Sequence, residues 1–211
     1  MATGVLVIGE SGSGKSTSMR NLNPKETYVI NVQGKPLPWR GSRESYSSLG
    51  KNICNSDNVS SITSYLVNIS ENANHVKTIV IDDMQYLMIN ELMRRSKETG
   101  YTKFTEIANG MWNLIGTVRS LRDDIVVIFL SHIETTNTGK EKVKTVGKML
   151  DDQVNIEGMF TIVLKAIAHN GEYLFTTKTN GNDTAKTPMG MFESETIEND
   201  LVKVIEAIKN Y

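Results

Sequence analysis

Nine consecutive residues, Gly9-Glu-Ser-Gly-Ser-Gly-Lys-Ser-Thr17, carry the most specific chemistry in the chain. Gly9, four intervening residues and Gly14-Lys15-Ser16 make the spacing at which backbone N–H groups wrap a row of phosphates. Glycine is required where the backbone turns left-handed or must approach an anion with no Cβ in the way. On this reading Gly9, Glu10, Ser11, Gly12, Ser13 and Gly14 form the cradle. Lys15 sets a point charge against the β- and γ-phosphates, Ser16 offers a hydroxyl to Mg²⁺, and Thr17 closes the loop. A helix over 15–22 is expected to aim its positive end at the same anion. The pattern predicts binding of a nucleoside triphosphate.

A second group completes such a site. The run Ile79-Val80-Ile81 is apolar enough to be buried on both faces, and Asp82 leaves it at the carboxyl end, where α/β ligands bind. Asp82 is therefore the expected Mg²⁺-associated carboxylate, acting with Ser16. Asp83 has two readings that the sequence leaves open: it polarises the attacking water, or it caps the next helix. Ser131 and His132 end the run Ile125–Leu130 and are candidates for contact with the γ-phosphate or the lytic water. No Asn-Lys-x-Asp stretch is present to read guanine, so ATP is the expected nucleotide. Clustered arginines that would serve the acceptor pocket of a small-molecule kinase are also lacking.

Strands that position these groups alternate with helices. Residues 4–9, 28–32 and 78–81 read as strands, with a short one over 51–55, and 125–130 is the most hydrophobic and central. Helices are expected over 84–97 and 103–121, with another from an Asp57 cap carrying Val59, Ile62, Leu66 and Ile69. Residues 34–50 and 133–147 lack an apolar period and read as exposed loops. Residues 160–168 and 172–178 form a strand pair about Asn170-Gly171, and a helix over 197–209 closes the chain. The class is α/β: a mostly parallel sheet flanked by helices, with a C-terminal antiparallel strand pair. One domain over 1–211 accommodates it.

With a net charge of −1, 39% hydrophobic and 22% charged residues, the chain carries a core and no global basic field. A single cysteine, Cys54, allows no internal disulfide and suits a reducing cytoplasm. No apolar run is long enough to span a membrane.

Several stretches resemble the small ATP-binding proteins of tailed phages, within the RecA-like P-loop ATPases. They are the phosphate loop, Pro24-Lys-Glu-Thr, Ile81-Asp-Asp-Met-Gln-Tyr, Phe129-Leu-Ser-His, Gly147-Lys-Met-Leu-Asp-Asp and Thr184-Ala-Lys-Thr-Pro-Met-Gly-Met-Phe. The resemblance implies a slow, Mg²⁺-dependent ATPase that couples nucleotide state to single-stranded DNA in phage recombination or replication. It also implies a homo-oligomeric ring or filament, with other phage replication proteins as partners. The alternative is an ATP-dependent oligomeric switch or scaffold that does not turn over. Such proteins often carry a catalytic Glu after the second strand, where this chain has Gln33. Their mobile loop after the sensor strand touches DNA, which points here to Lys140, Lys142, Lys144 and Lys148. A cation from a neighbouring subunit would be Lys186, and Arg94-Arg95 is a further candidate for partner or DNA contact.

Overall fold

Val5 to Ile8, Ile79 to Ile81 and Val127 to Leu130 are all wholly buried. Side chains alternate across a strand, so each run needs apolar cover on both sides. The computed structural model describes residues 1–147 and 154–211, and it provides that cover. In chain order the strands are β1 (Thr3–Gly9), β2 (Thr27–Asn31), β3 (Ile53–Asn55), β4 (Thr78–Asp82), β5 (Val126–Thr135), β6 (Glu141–Val143), β7 (Ile162–His169), β8 (Glu172–Thr176) and β9 (Thr196–Glu198). The helices are α1 (Ser42–Ser45), α2 (Val59–Asn72), α3 (Gln85–Arg94), α4 (Thr102–Thr117) and α5 (Leu201–Asn210).

Among the described residues the strands lie in the order β3-β2-β4-β5-β1-β7-β8-β9, with β6 attached to β5. From β3 to β7 all pairings are parallel; β7–β8 and β8–β9 are antiparallel. The expected α/β architecture with a C-terminal antiparallel pair is therefore present. Leu6, Ile8, Ile79, Ile81 and Phe129 face α2, α3 and α4 through Ile62, Leu66, Leu87 and Met111. Their alternates Val5, Val7, Val80, Ile128 and Leu130 pack with Met19, Phe175 and, from α5, Leu201 and Val204. Burial of each such side chain is worth about 1.5–3 kcal/mol, so covering both faces dominates the stability of the sheet.

Several expectations need correction. The helix expected over 15–22 is only a 3-10 turn, Ser16–Met19. Ser18 Oγ donates back to Lys15 O at 2.5 Å, and the Arg20 and Leu22 N–H groups take carbonyls three residues back. A four-residue turn provides no long row of aligned peptide dipoles, so an anion in the loop would depend on individual N–H groups and Lys15. Asn58, not Asp57, caps α2, its Oδ1 accepting from Ser61 N–H at 2.9 Å. The 34–50 stretch is partly buried, with Leu37 and Tyr46 in the core and Trp39 edge-on to Tyr46. The stretch 133–147 is not an open loop: its first part continues β5 and returns through β6 as an antiparallel pair, Ile133 opposite Val143. Finally, residues 196–198 form β9 rather than helix, and Asp200 caps α5 by accepting from Val202 N–H.

No helix among the described residues is long and apolar enough to cross a membrane.

Candidate nucleotide site

The carboxyl ends of β1, β5, β4 and β2 converge on one cleft of about 340 Å³. Strand register sets the positions: Gly9 lies beside His132 across β1–β5, and Asn31 beside Asp82 across β2–β4. Ser11, Gly12, Gly14, Lys15, Ser16 and Thr17 line the cleft from one side. Two of the glycines are sterically obligatory. A Cβ on Gly9 would fall 2.5 Å from Ser13 Oγ and 2.6 Å from Ala166 O. Gly14 has φ +89°, and a Cβ there would meet the Tyr173 ring at 2.7 Å.

Lys15 closes the loop from inside, its Nζ donating to Gly9 O at 2.8 Å and Glu10 O at 2.7 Å. Burial lowers its pKa to about 8, against the pull of Asp83 and Asp82. Ser16 Oγ donates to Asp82 Oδ1 at 2.8 Å, which joins residues 66 positions apart. Burial and the neighbouring Asp83 charge push the Asp82 carboxyl up to about 6. Hydroxyl and carboxylate oxygens of this kind suit Mg²⁺, and the excess of buried acid favours a divalent cation. No cluster of three or more His, Cys, Asp or Glu among the described residues could hold a metal alone. Ser16 and Asp82 would hold Mg²⁺ together with phosphate oxygens and water.

Asp83 has φ 65° and does not cap α3 through its side chain. Its oxygens face two partners: Lys35 Nζ lies 3.1 Å from Oδ2 and His132 Nε2 lies 3.3 Å from Oδ1. Burial pushes this carboxyl up, but hydrogen bonds from His132 and Lys35 and their charges outweigh it and bring it down to about 2. A carboxylate with so little proton affinity is a poor base. His132 lines the cleft, its backbone N–H donating to Gln85 Oε1 at 3.1 Å and its ring edge-on to Tyr86. Ser131 is wholly buried, with Oγ turned toward the His132 carbonyl, so it supports the site from below and does not line it.

The remaining candidates lie elsewhere. Lys186 is exposed, its backbone paired with Val163, and it does not line the cleft of its own chain. Lys140 and Lys144 are exposed on the β5–β6 arm. Lys142, by contrast, pairs with Glu134 at 3.4 Å, and Lys148 lies outside the described residues. Arg94 is held by Asp57 and Glu91, and Arg95 by Glu98 and Glu106, so both guanidinium groups are engaged within the chain. Gln33 does not line the cleft; Lys35, Pro36 and Pro38 from the same loop do. Lys35, Tyr173 and Gln85 were missed from the sequence, although Gly34-Lys35 directly after a strand was a signal for the first.

Residues 1–189 match a protein family described as AAA domain. No curated protein matches the chain.

Proposed function

The chain belongs to this AAA-domain family of P-loop ATPase-type proteins, and from that premise we propose that it binds MgATP, hydrolyses it slowly and couples nucleotide state to single-stranded DNA. The observation that carries the reading is the meeting of Lys15, Ser16 and Asp82 in one cleft at the carboxyl ends of parallel strands. Loop N–H groups and Lys15 bind the phosphates, while Ser16 and Asp82 hold the cation. Mg²⁺, when bound, offsets phosphate charge. His132, its N–H held by Gln85, lines the cleft beside Asp83 and is the candidate for contact with the γ-phosphate or the lytic water. In hydrolysis a water oxygen bonds to the γ-phosphorus, the bridging P–O bond breaks, ADP leaves with the electron pair, and the water's proton passes to an oxygen of the released phosphate.

The exposed Lys140 and Lys144 are the proposed contacts to DNA phosphates. The setting we propose is phage recombination or replication in the host cytoplasm, as a ring or filament, with other replication proteins as partners and Lys186 reaching a neighbour's γ-phosphate. A second reading, an ATP-dependent switch or scaffold, is favoured by one observation: Asp83, the acid beside Asp82, is held by Lys35 and His132 as a weak proton acceptor.

ATP turnover with and without single-stranded DNA tests both, with Lys15→Ala as the blank. Stimulation by DNA that vanishes in the variant supports the coupled ATPase. ATP binding with no turnover in either condition supports the switch.

A further inference from the structure

β2 ends at Asn31, and the chain turns at Gly34, with φ +63° and its N–H donating to Asn31 O. The Asn31 side chain, buried at the end of the strand, then donates Nδ2 to Lys35 O at 2.6 Å. Because Asn31 is the register partner of Asp82, this clasp fixes the Lys35 backbone beside the metal-side end of the cleft. Lys35 Nζ reaches Asp83 Oδ2 at 3.1 Å and sits 5.2 Å above the centre of the Tyr86 ring. Its side chain is 59% exposed, so the ammonium is only partly committed to these partners. Behind the 34–36 segment lies a second cleft of about 390 Å³, lined by Lys35, Pro36, Arg43, Asn31 and Asn55 with no carboxylate. The lysine therefore has room to move.

Without a ligand, the cations at this end of the site are matched by Asp82 and Asp83. A triphosphate adds a dense negative charge. Lys15 would meet it from within the loop, and Lys35, beside Asp83, is the other ammonium lining the cleft. We propose that Lys35 contacts the γ-phosphate within its own chain, exchanging Asp83 for the terminal phosphate when ATP binds. ADP has no group at that position, so the Lys35–Asp83 pair persists in the ADP complex. Lys35 is thus the residue by which the site tells ATP from ADP. The inference rests on the ATP-binding reading above and goes beyond it in naming how nucleotide state is sensed.

Equilibrium binding of ADP and of a non-hydrolysable ATP analogue, each with Mg²⁺, tests it on the full chain. Lys35→Met removes the charge from a largely exposed side chain, and circular dichroism checks that the variant keeps its fold. The variant is expected to lose at least about tenfold of the preference for the ATP analogue, the size of one charge-assisted contact, with ADP affinity changed less than about threefold. Lys35→Arg restores part of the preference. A parent that binds both nucleotides, with Lys35→Met retaining the parent's preference, overturns the inference alone. A parent that binds neither overturns the ATP reading and this inference with it.

Discussion

Replacing Asp82 by Asn should stabilise the protein while removing its response to magnesium and nucleotide. Burial and Asp83 raise this carboxyl from an ordinary value near 3.8 to about 6, and the residue is only 7% exposed. The sign follows from proton binding. The folded chain holds the Asp82 proton more tightly than the unfolded chain does, so stability rises as pH falls from about 6 to about 4. Above that window the buried charge is a standing cost. Each tenfold change in proton affinity is about 1.4 kcal/mol, which puts the cost at about 3 kcal/mol at neutral pH. Asn removes the charge and can still accept the Ser16 hydroxyl. Metal-free urea denaturation at pH 7.5 should therefore show Asp82→Asn more stable by about 1–3 kcal/mol, a rise in Tm on the order of 5 °C. The difference should shrink steadily toward pH 4.5. Adding MgATP should raise the stability of the parent and leave the variant unchanged. A variant less stable than the parent at pH 7.5, or a difference that stays constant with pH, would refute the argument.

Other outcomes follow from the same geometry. Lys15 is lowered to about 8 by burial, and a bound triphosphate favours its charged form, so ATP binding should take up a proton above that pH. Calorimetry at pH 8.5 in two buffers of different ionisation enthalpy measures the uptake, and equal heats would contradict it. Gly14→Ala places a Cβ against Tyr173 at φ +89° and should cost about 1–3 kcal/mol in strain, with loss of nucleotide binding. Adding Tyr173→Ala should recover stability only in part, because the backbone strain remains. Gln85→Leu strips the His132 N–H of its acceptor and should cost about 1–3 kcal/mol by urea denaturation, with turnover falling more than ATP affinity.

The sheet was legible because its central strands need cover on both faces, and only near-continuous Val, Ile and Leu runs satisfy that. Asp82 was legible for the same reason, as the first charge after such a run. Lys35 was not. Its contact with Asp83 spans 48 positions and exists only because β2 lies beside β4 and Gly34 turns the chain back. The β5–β6 arm was read as loop because it runs past the sheet: Ile133 and Val143 are its apolar pair, too few to make a period. The 3-10 turn after Lys15 depends on Ser18 folding onto Lys15 O, a competition between hydroxyl and backbone that composition does not reveal. The expected Asp57 cap and the observed Asn58 cap differ by one residue, within the spread expected at helix ends.

β5 behaves mechanically like a beam clamped at one end and propped again beyond it. Its first residues are gripped by β1 and β4, and the β1 pairing ends at His132. Beyond that point it projects with β6 along its side, and the Lys144 N–H is tied back to the His132 carbonyl. Farther out the arm is held again: the Glu141 N–H donates to the Asn182 carbonyl, the Glu141 carboxylate pairs with Lys165, and the Val143 N–H donates to Glu157 Oε1. A load applied at His132 is thus shared with these props and passes to the segments that carry Glu157, Lys165 and Asn182.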